Sequence, residues 1–266
     1  MPKVDIGDAE IHYEEAGSGP PLLLVPGLGG HGAFWARQVE AFKGDFRVII
    51  HDHRGAGQST HSPIRYSVDQ MAADVLKLMD ALDIDRAHFV GHSTGGAIGQ
   101  TIAQDRPERL ATLGLSATWA GSDPFFRRSF ELRKALLTTF GLERYSEMTA
   151  LVLNPPFWVA ENDAAISAGA KAALDTAAPV EIMISRIDGI MAFDRRARMG
   201  EISMPTQIIV ARDDMVTPIH MTEELSAGIP HAETVVLERG GHFVPIVLPE
   251  DYNPPVLEFL RKHRDL

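Results

Sequence analysis

The sequence predicts an α/β fold, a mostly parallel doubly wound sheet that is interrupted by an inserted helical cap. Short apolar runs alternate with helix-like periods from residue 21 to about residue 118, which is typical of a buried parallel sheet. Between residues 119 and 200, helical patterns follow one another without a convincing strand, and strand-like segments return afterwards. We therefore expect a core formed by residues 1–118 and 201–266 and a helical cap formed by residues 119–200.

Hydrophobic periodicity locates the individual elements. Alternation at residues 10–14 predicts a half-buried N-terminal strand, and an apolar stripe from Val68 to Leu82 predicts an amphipathic helix. Ser67 and Gln70 form a capping box at the start of that helix. Short continuous apolar runs at residues 22–25, 48–50, 89–90 and 208–210 predict buried strands. Strand-like segments also lie at residues 206–210 and 234–237, and a closing helix is expected at residues 255–263.

Composition restricts the function classes. The 266 residues carry a formal net charge of −11, which argues against a nucleic-acid partner because phosphate binding needs a basic face. With no cysteine, the chain has no disulfide, thiol nucleophile or thiolate metal site. No stretch approaches the ~20 apolar residues that span a bilayer, and the opening residues lack the apolar core of a signal peptide. We expect a cytoplasmic monomer or homodimer that acts on a small molecule, without a membrane partner.

A glycine-flanked serine is the strongest sign of chemistry in the chain. Ser93 lies in Gly91-His92-Ser93-Thr94-Gly95, directly after an apolar strand and before a helix-like stretch. A serine on a sharp strand-to-helix turn needs neighbours two positions away that lack side chains, and Gly91 and Gly95 meet that need. Such a turn exposes the hydroxyl and aims the N–H of Thr94 at an oxyanion, so the pattern predicts a nucleophile elbow.

Candidates for the partners of this serine come later in the chain. An activated serine requires a general base, and a histidine base requires a carboxylate that fixes its tautomer. Asp213 and Asp214 follow one late strand, and His242 follows the next strand on a glycine-led loop. The sequence therefore predicts Ser93 as nucleophile and His242 as base, with Asp213 or Asp214 as the acid.

With these motifs in order, nearly the whole chain resembles the α/β-hydrolase family. Pro26-Gly27-Leu28-Gly29-Gly30 looks like the family's oxyanion loop, although many members carry His-Gly in place of Pro26-Gly27. Residues 52–59, Asp-His-Arg-Gly-Ala-Gly-Gln-Ser, look like the family's turn after the fourth strand. The resemblance implies that the N–H groups of Leu28 and Thr94 form the oxyanion hole. It also favours Asp214 as the acid, because Asp214-Met-Val-Thr-Pro matches the family's D-x-x-T-P pattern.

In size and cap length the chain is similar to the 3-oxoadipate enol-lactonases and the aminoacrylate hydrolases of this family. The Gly-Leu-Gly-Gly loop, residues 211–214 and the cap segment Phe157-Trp158 resemble the second group in particular. The resemblance implies a serine hydrolase that cleaves a small ester, enol-lactone or amide through an acyl-enzyme on Ser93. It implies no cofactor and no metal.

The cap is expected to supply the substrate-binding residues. We expect Trp119, where the chain leaves the core, to lie nearest the acyl or leaving group, and Phe157 and Trp158 to contribute to the roof of the pocket. Arg127 and Arg186, together with Arg128, are candidates for binding a substrate carboxylate.

Several alternative readings remain at the level of sequence. Gly27 to Gly32 satisfies G-x-G-x-x-G and Asp52 follows at the end of the next strand, but an NAD-dependent oxidoreductase would leave Ser93 and His242 unexplained. The pair His51 and His53 suggests a metal site without a familiar ligand spacing. A carbon–carbon bond hydrolase, a cofactor-free perhydrolase and a non-enzymatic small-molecule receptor are all compatible with the same three residues.

Overall fold

The predicted α/β fold is confirmed by the computed structural model, which describes residues 2–175 and 177–266. Its strands are β1 (Lys3–Asp5), β2 (Glu10–Ala16), β3 (Pro21–Val25), β4 (Arg47–His51), β5 (Ala87–His92), β6 (Leu110–Ser116), β7 (Thr206–Ala211) and β8 (Glu233–Leu237). They form an eight-stranded sheet in the order β1-β2-β4-β3-β5-β6-β7-β8. β2 pairs antiparallel with β1 and β4, whereas β3 to β8 run parallel.

Helices cover the sheet and form the long excursion between β6 and β7. The helices are α1 (Ala36–Phe42), α2 (Val68–Ala81), α3 (Thr94–Asp105), α4 (Pro124–Leu153), α5 (Pro156–Asp175), α6 (Val180–Met191), α7 (Ile219–Gly228), α8 (Val244–Val247) and α9 (Pro249–Lys262). Helices α4, α5 and α6 occupy the interval for which the sequence predicts a cap. Within the described residues, no helix is both long enough and apolar enough to cross a membrane.

The central strands are apolar on both faces because each face is covered by a separate layer. In β3, Leu23 and Val25 belong to one hydrophobic cluster with α2 and α3, whereas Leu22 and Leu24 belong to a second cluster with α1 and α9. Successive side chains of a strand point to opposite faces, so a continuous apolar run fills both layers. The continuous runs in the sequence therefore correspond to strands that are buried on both sides.

The helix ends follow local chemistry more closely at α2 than at α9. The Ser67 hydroxyl accepts a hydrogen bond from the Gln70 N–H at 3.0 Å, as the capping box predicts, although the Gln70 side chain donates to Asp74 instead. Helix α9 begins at Pro249, earlier than the predicted start at Pro255. Proline favours the first turn of a helix, and Pro249 rather than Pro255 occupies that turn.

We expect Gly95→Ala to destabilise the protein. A β-carbon on Gly95 would overlap the carbonyl group of Val25, which is backbone and cannot move aside cheaply. Overpacking of this kind costs about 1–3 kcal/mol of the free energy of unfolding, measurable by urea denaturation. Gly44→Ala is the matched control because a β-carbon there meets open space. Equal stability of the two variants would contradict the tight packing of β3 against α3.

Candidate active site

Ser93 occupies a strained turn between β5 and α3. Its backbone has φ 54° and ψ −116°, a conformation that L-residues rarely adopt and that costs about 1–3 kcal/mol. The Ser93 N–H donates to the Ser116 carbonyl at 2.8 Å, and the Ser93 carbonyl accepts from the Thr118 hydroxyl at 2.7 Å. Bonds to β6 and to the segment that follows it therefore hold the turn at the carboxyl edge of the sheet.

The two glycines of the motif permit this turn through close backbone contact. A β-carbon on Gly91 would overlap the backbone of Gly95, and a β-carbon on Gly95 would overlap that of Val25. Neither position has room for any side chain. The spacing Gly-x-Ser-x-Gly is thus explained by the packing of β5, α3 and β3 against one another.

His242 and Asp214 form a buried pair at the same edge of the sheet. His242 Nδ1 lies 2.8 Å from Asp214 Oδ2, and both side chains are at most 3% exposed. Because a carboxylate only accepts, Nδ1 carries the proton and Nε2 is left as the basic nitrogen. Asp214 is fixed in turn by the N–H groups of Val216 and Thr217 and by the Thr217 hydroxyl, at 2.7–3.0 Å.

The neighbouring Asp213 has a different position. Its side chain is exposed, and its Oδ1 accepts from the Gly241 N–H at 2.8 Å. Gly241 has φ 63° and directly precedes His242. Of the two acids left open by spacing alone, the structure therefore brings Asp214 to the imidazole, whereas Asp213 is hydrogen-bonded to the loop that carries His242.

The loop after β3 lies directly against Ser93. A β-carbon on Gly27 would stand 3.2 Å from the Ser93 β-carbon. In the part of the chain that the structure describes, the N–H groups of Leu28 and Thr94 donate to no other protein group. Two free donors therefore flank the serine, as an oxyanion site requires.

Arg186 lies behind this loop, where the sequence had suggested a substrate-binding role. It is 2% exposed, and it donates to the Leu28 carbonyl at 2.7 Å and to the Arg54 carbonyl at 2.6 Å. Burial lowers the pKa of its guanidinium to about 10. Arg186 is not among the described residues that line the cavity, and its guanidinium contacts groups of the core instead.

Ser93 and His242 open into one cavity of about 470 Å³ between the core and the cap. Its lining from the core comes from the loop after β3, the serine turn and the histidine loop, and its lining from the cap comes from α4 and α5. Most of the lining surface is apolar. Among the described residues, the cap contribution is Phe130, Arg133, Tyr145, Ser146, Thr149, Ala150, Leu153, Asn154, Trp158, Ile166 and Ala170.

The other cap residues expected at the substrate fall into two groups. Trp158 lines the cavity, whereas Trp119, Phe157 and Arg127 are not among its described lining residues. Trp119 is fully buried and packs on Phe126, with ring centroids 4.6 Å apart.

Phe157 and Arg127 lie outside the cavity for different reasons. The Phe157 ring is covered by the guanidinium of Arg239 at 5.0 Å. Arg127 is exposed, as is the third candidate Arg128, because both follow the buried Phe126 on the outer face of α4.

Sequence reasoning missed the polar residues that the cap does present to the cavity. Arg133 lies on α4 in register with Phe126, Phe130 and Leu137, all of them buried. Charge within an apolar stripe of helical spacing was the available signal. Tyr145, by contrast, follows Gly141, where φ of 79° bends α4 and breaks the period on which such a prediction depends.

Asp52, which together with the glycines of residues 27–32 suggested an NAD-dependent oxidoreductase, has hydrogen-bond partners within the protein. Asp52 is 6% exposed, and its carboxylate accepts from the N–H groups of Gly32 and Gln58, both at 2.9 Å. It also lies 3.1 Å from His12 Nδ1. Through these contacts Asp52 connects the turn after β4 to the loop after β3. Its carboxylate oxygens are therefore engaged within the protein rather than with a ribose.

Three further histidines are buried in the core. The rings of His51 and His53 lie 5.2 Å apart, and His92 packs 4.8 Å from the His242 ring. Burial lowers the pKa of His51 to about 4 and the pKa values of His53 and His92 well below their usual range. Among the described residues, no group of three or more His, Asp or Glu side chains is placed to hold a metal ion.

Comparison with known proteins gives consistent matches along the chain. The family model described as alpha/beta hydrolase fold matches residues 20–143 and 174–249. A protein of Azorhizobium caulinodans named as the carbamate hydrolase RutD is 37% identical over 259 residues, which are 97% of this chain and 98% of the relative. The protein of the same name from Caulobacter vibrioides is 37% identical over 267 residues, 98% of this chain and 99% of the relative.

Among solved structures, the enol-lactonase from Burkholderia xenovorans LB400 is similar over the full fold. It superposes with a TM-score of 0.90 at 27% sequence identity and covers 98% of this chain and 100% of its own.

We expect stability to fall between pH 7 and pH 5 because of the buried histidines. Their pKa values are lowered in the folded state, so unfolding takes up protons once the pH falls below about 6.5. The unfolded state then becomes more stable relative to the folded state. Each such histidine costs at most about 2 kcal/mol at pH 5, measurable by urea denaturation at both pH values.

His51→Gln should make this pH dependence shallower by about one proton. A free energy of unfolding that stays constant from pH 7 to pH 5 would contradict neutral buried histidines.

Proposed function

The chain belongs to the α/β-hydrolase family, and from this premise we propose that it is a serine hydrolase with Ser93 as nucleophile, His242 as base and Asp214 as the acid. The membership confirms the resemblance that the sequence motifs indicate. The observation that carries the proposal is the buried 2.8 Å contact between His242 Nδ1 and Asp214 Oδ2, which leaves Nε2 free at the cavity that Ser93 also lines.

The proposed reaction begins with proton transfer from the Ser93 hydroxyl to His242 Nε2 as Ser93 Oγ attacks a carbonyl carbon. Asp214 stabilises the imidazolium that forms, since their contact becomes an ion pair. The N–H groups of Leu28 and Thr94 bind the oxyanion, and each good donor contributes about 3 to 4 kcal/mol to the transition state. The protonated His242 then gives its proton to the leaving oxygen or nitrogen as the carbonyl bond breaks.

Water completes the proposed cycle. His242 takes a proton from water, whose oxygen attacks the acyl carbon and releases the acid and the Ser93 hydroxyl. Apart from the substrate and water, each of these steps uses a group of the chain itself. The two donors and the buried acid account for every charge that develops at the reacting centre.

The substrate we propose is a small ester, enol-lactone or amide. The cavity of about 470 Å³ suits a small molecule with an apolar body. The names of the relatives, carbamate hydrolase and enol-lactonase, both refer to bonds between a carbonyl carbon and nitrogen or oxygen. Ser93 attack on such a carbonyl is the chemistry that these bonds share.

We expect Ser93→Ala to abolish both ester hydrolysis and labelling by a fluorophosphonate probe while leaving the fold intact. Alanine removes the nucleophilic oxygen and nothing else, so circular dichroism and the urea midpoint should stay close to those of the parent. Ser203→Ala, at an exposed serine, is the control and should keep labelling. Labelling that persists in Ser93→Ala would overturn the assignment of the nucleophile.

We expect the two adjacent acids to differ sharply when each is changed to asparagine. Asp214→Asn should lower kcat by about 10⁴-fold, because an amide no longer fixes the productive tautomer or stabilises the imidazolium. Asp213→Asn should lower kcat by less than about tenfold, since its amide oxygen can still accept from the Gly241 N–H. Steady-state kinetics on one activated ester compares the pair, and a reversed order would show that Asp213 is the acid.

A further inference from the structure

The loop that carries His242 begins with two glycines and depends on contacts outside itself. Gly240 and Gly241 have φ of 137° and 63°, values that residues with a side chain rarely adopt. Glycine also loses more conformational freedom on folding than any other residue. A base on such a loop keeps one position only where neighbouring segments fix the backbone on both sides of it.

One of these anchors belongs to the core and the other belongs to the cap. The Gly241 N–H donates to Asp213 Oδ1 at 2.8 Å, which ties the loop to the segment after β7. The Phe243 N–H donates to the Leu153 carbonyl at 2.9 Å. Leu153 is the last residue of α4, and residues 153–156, the cap turn, connect α4 to α5. The backbone directly after the base is therefore held by the cap.

Two further contacts join the histidine loop to the cap. A β-carbon on Gly241 would stand 2.9 Å from Pro155 Cδ and 3.1 Å from the Leu153 carbonyl oxygen, so the loop backbone lies directly against the cap turn. The Arg239 guanidinium covers the Phe157 ring at 5.0 Å, which is a cation–π distance. The cap thus contacts the loop both before and after the base.

The cap turn is separate from the neck at which the cap joins the core. At the neck, Gly121 and Asp194 form an antiparallel bridge, and the Arg195 N–H donates to the Ala120 carbonyl at 2.8 Å. Between the neck and the cap turn, α4 bends at Gly141, where φ is 79°. Because of this bend, the neck alone does not determine where the cap turn lies, and the contacts with the histidine loop help to fix it.

We propose that the cap turn positions the base. Its contacts with residues 239–243 hold His242 where Nε2 can reach the Ser93 hydroxyl, and displacement of the turn withdraws the imidazole. This inference rests on the proposed function, because it requires His242 to act as the base. Leu153 and Asn154 of the turn also line the cavity, so a substrate that fills the cavity contacts the segment that holds the base.

The test compares ethyl butyrate with 4-nitrophenyl butyrate, which share the acyl group and differ in the leaving group. Ethoxide must receive a proton from His242 as it leaves, whereas 4-nitrophenolate is a stable anion and leaves without one. Displacement of His242 should therefore lower kcat/KM more for the ethyl ester than for the 4-nitrophenyl ester. A loss of folded protein lowers both values equally, so their ratio reports the position of the base.

Two variants remove the contact between Arg239 and Phe157, neither of which is among the described residues that line the cavity. Phe157→Ala and Arg239→Gln should each raise the ratio of kcat/KM, 4-nitrophenyl over ethyl ester, by about three- to tenfold, since a misplacement of about 1 Å can cost about 10²-fold in rate. The double variant should match the single variants, because both changes remove the same contact.

Conservative variants and a control assign this effect to the contact. Phe157→Tyr keeps the ring and Arg239→Lys keeps the cation, so both should retain a ratio close to that of the parent protein. Phe140→Ala changes an exposed phenylalanine of the cap outside the turn and should leave the ratio unchanged. An unchanged ratio in both Phe157→Ala and Arg239→Gln would overturn the positioning role and leave the serine hydrolase standing.

Hydrogen exchange supplies a readout that needs no turnover. The amides of residues 240–247 should exchange faster in Phe157→Ala and Arg239→Gln than in the parent protein, because the Phe243 N–H loses protection when the cap turn moves away. Exchange at the parent rate in both variants would overturn the coupling. Faster exchange in a protein that hydrolyses neither ester would retain the coupling and reject the proposed function. If Phe157→Ala does not fold, Arg239→Gln, at an exposed side chain, decides.

Discussion

The close approach of β5, α3 and β3 beneath Ser93 is the constraint on which the rest of the site depends. Gly91 and Gly95 leave no space for a β-carbon, and Ser93 adopts a left-handed backbone that other parts of the chain must stabilise. Its N–H and carbonyl bonds to Ser116 and Thr118 supply that support. With the serine held there, the loop after β3 lies against it and the histidine loop can reach the same edge of the sheet.

Buried ionisable side chains are stabilised in different ways in different parts of the molecule. Arg54 is neutralised by carboxylates, and the Asp214 carboxylate is surrounded by donors before His242 is counted. His92, packed against His242, stays neutral because burial lowers its pKa. Among the described buried charges Arg133 differs, since its guanidinium has a long contact with the Tyr145 hydroxyl and no carboxylate partner. Burial of a charge without a carboxylate partner lowers the stability of the folded state.

The sequence predicts a structural feature well when neighbouring residues determine that feature, and less well when distant contacts determine it. The turn at Ser93 and the strand ends at Asp214 and His242 follow from glycine spacing and strand order, which neighbouring residues determine. The cap lining does not, because the bend at Gly141 decides which faces of α4 turn inward. Trp119 was expected at the substrate on grounds of chain position alone, yet it packs against Phe126. Local pattern gives the period of a helix, but distant contacts decide what each face meets.

Arg186 links the two parts of the fold. Its side chain comes from α6 between β6 and β7, and its donors satisfy carbonyls at Leu28 and Arg54, which belong to the core. The cap and the loop after β3 are therefore not interchangeable modules. A chimera that takes its cap from a relative would remove the donors of one buried and one partly buried carbonyl unless the donor cap also carries an arginine at this point of α6. Recombination between relatives is thus restricted by a hydrogen-bonded residue that is not among the described residues lining the cavity.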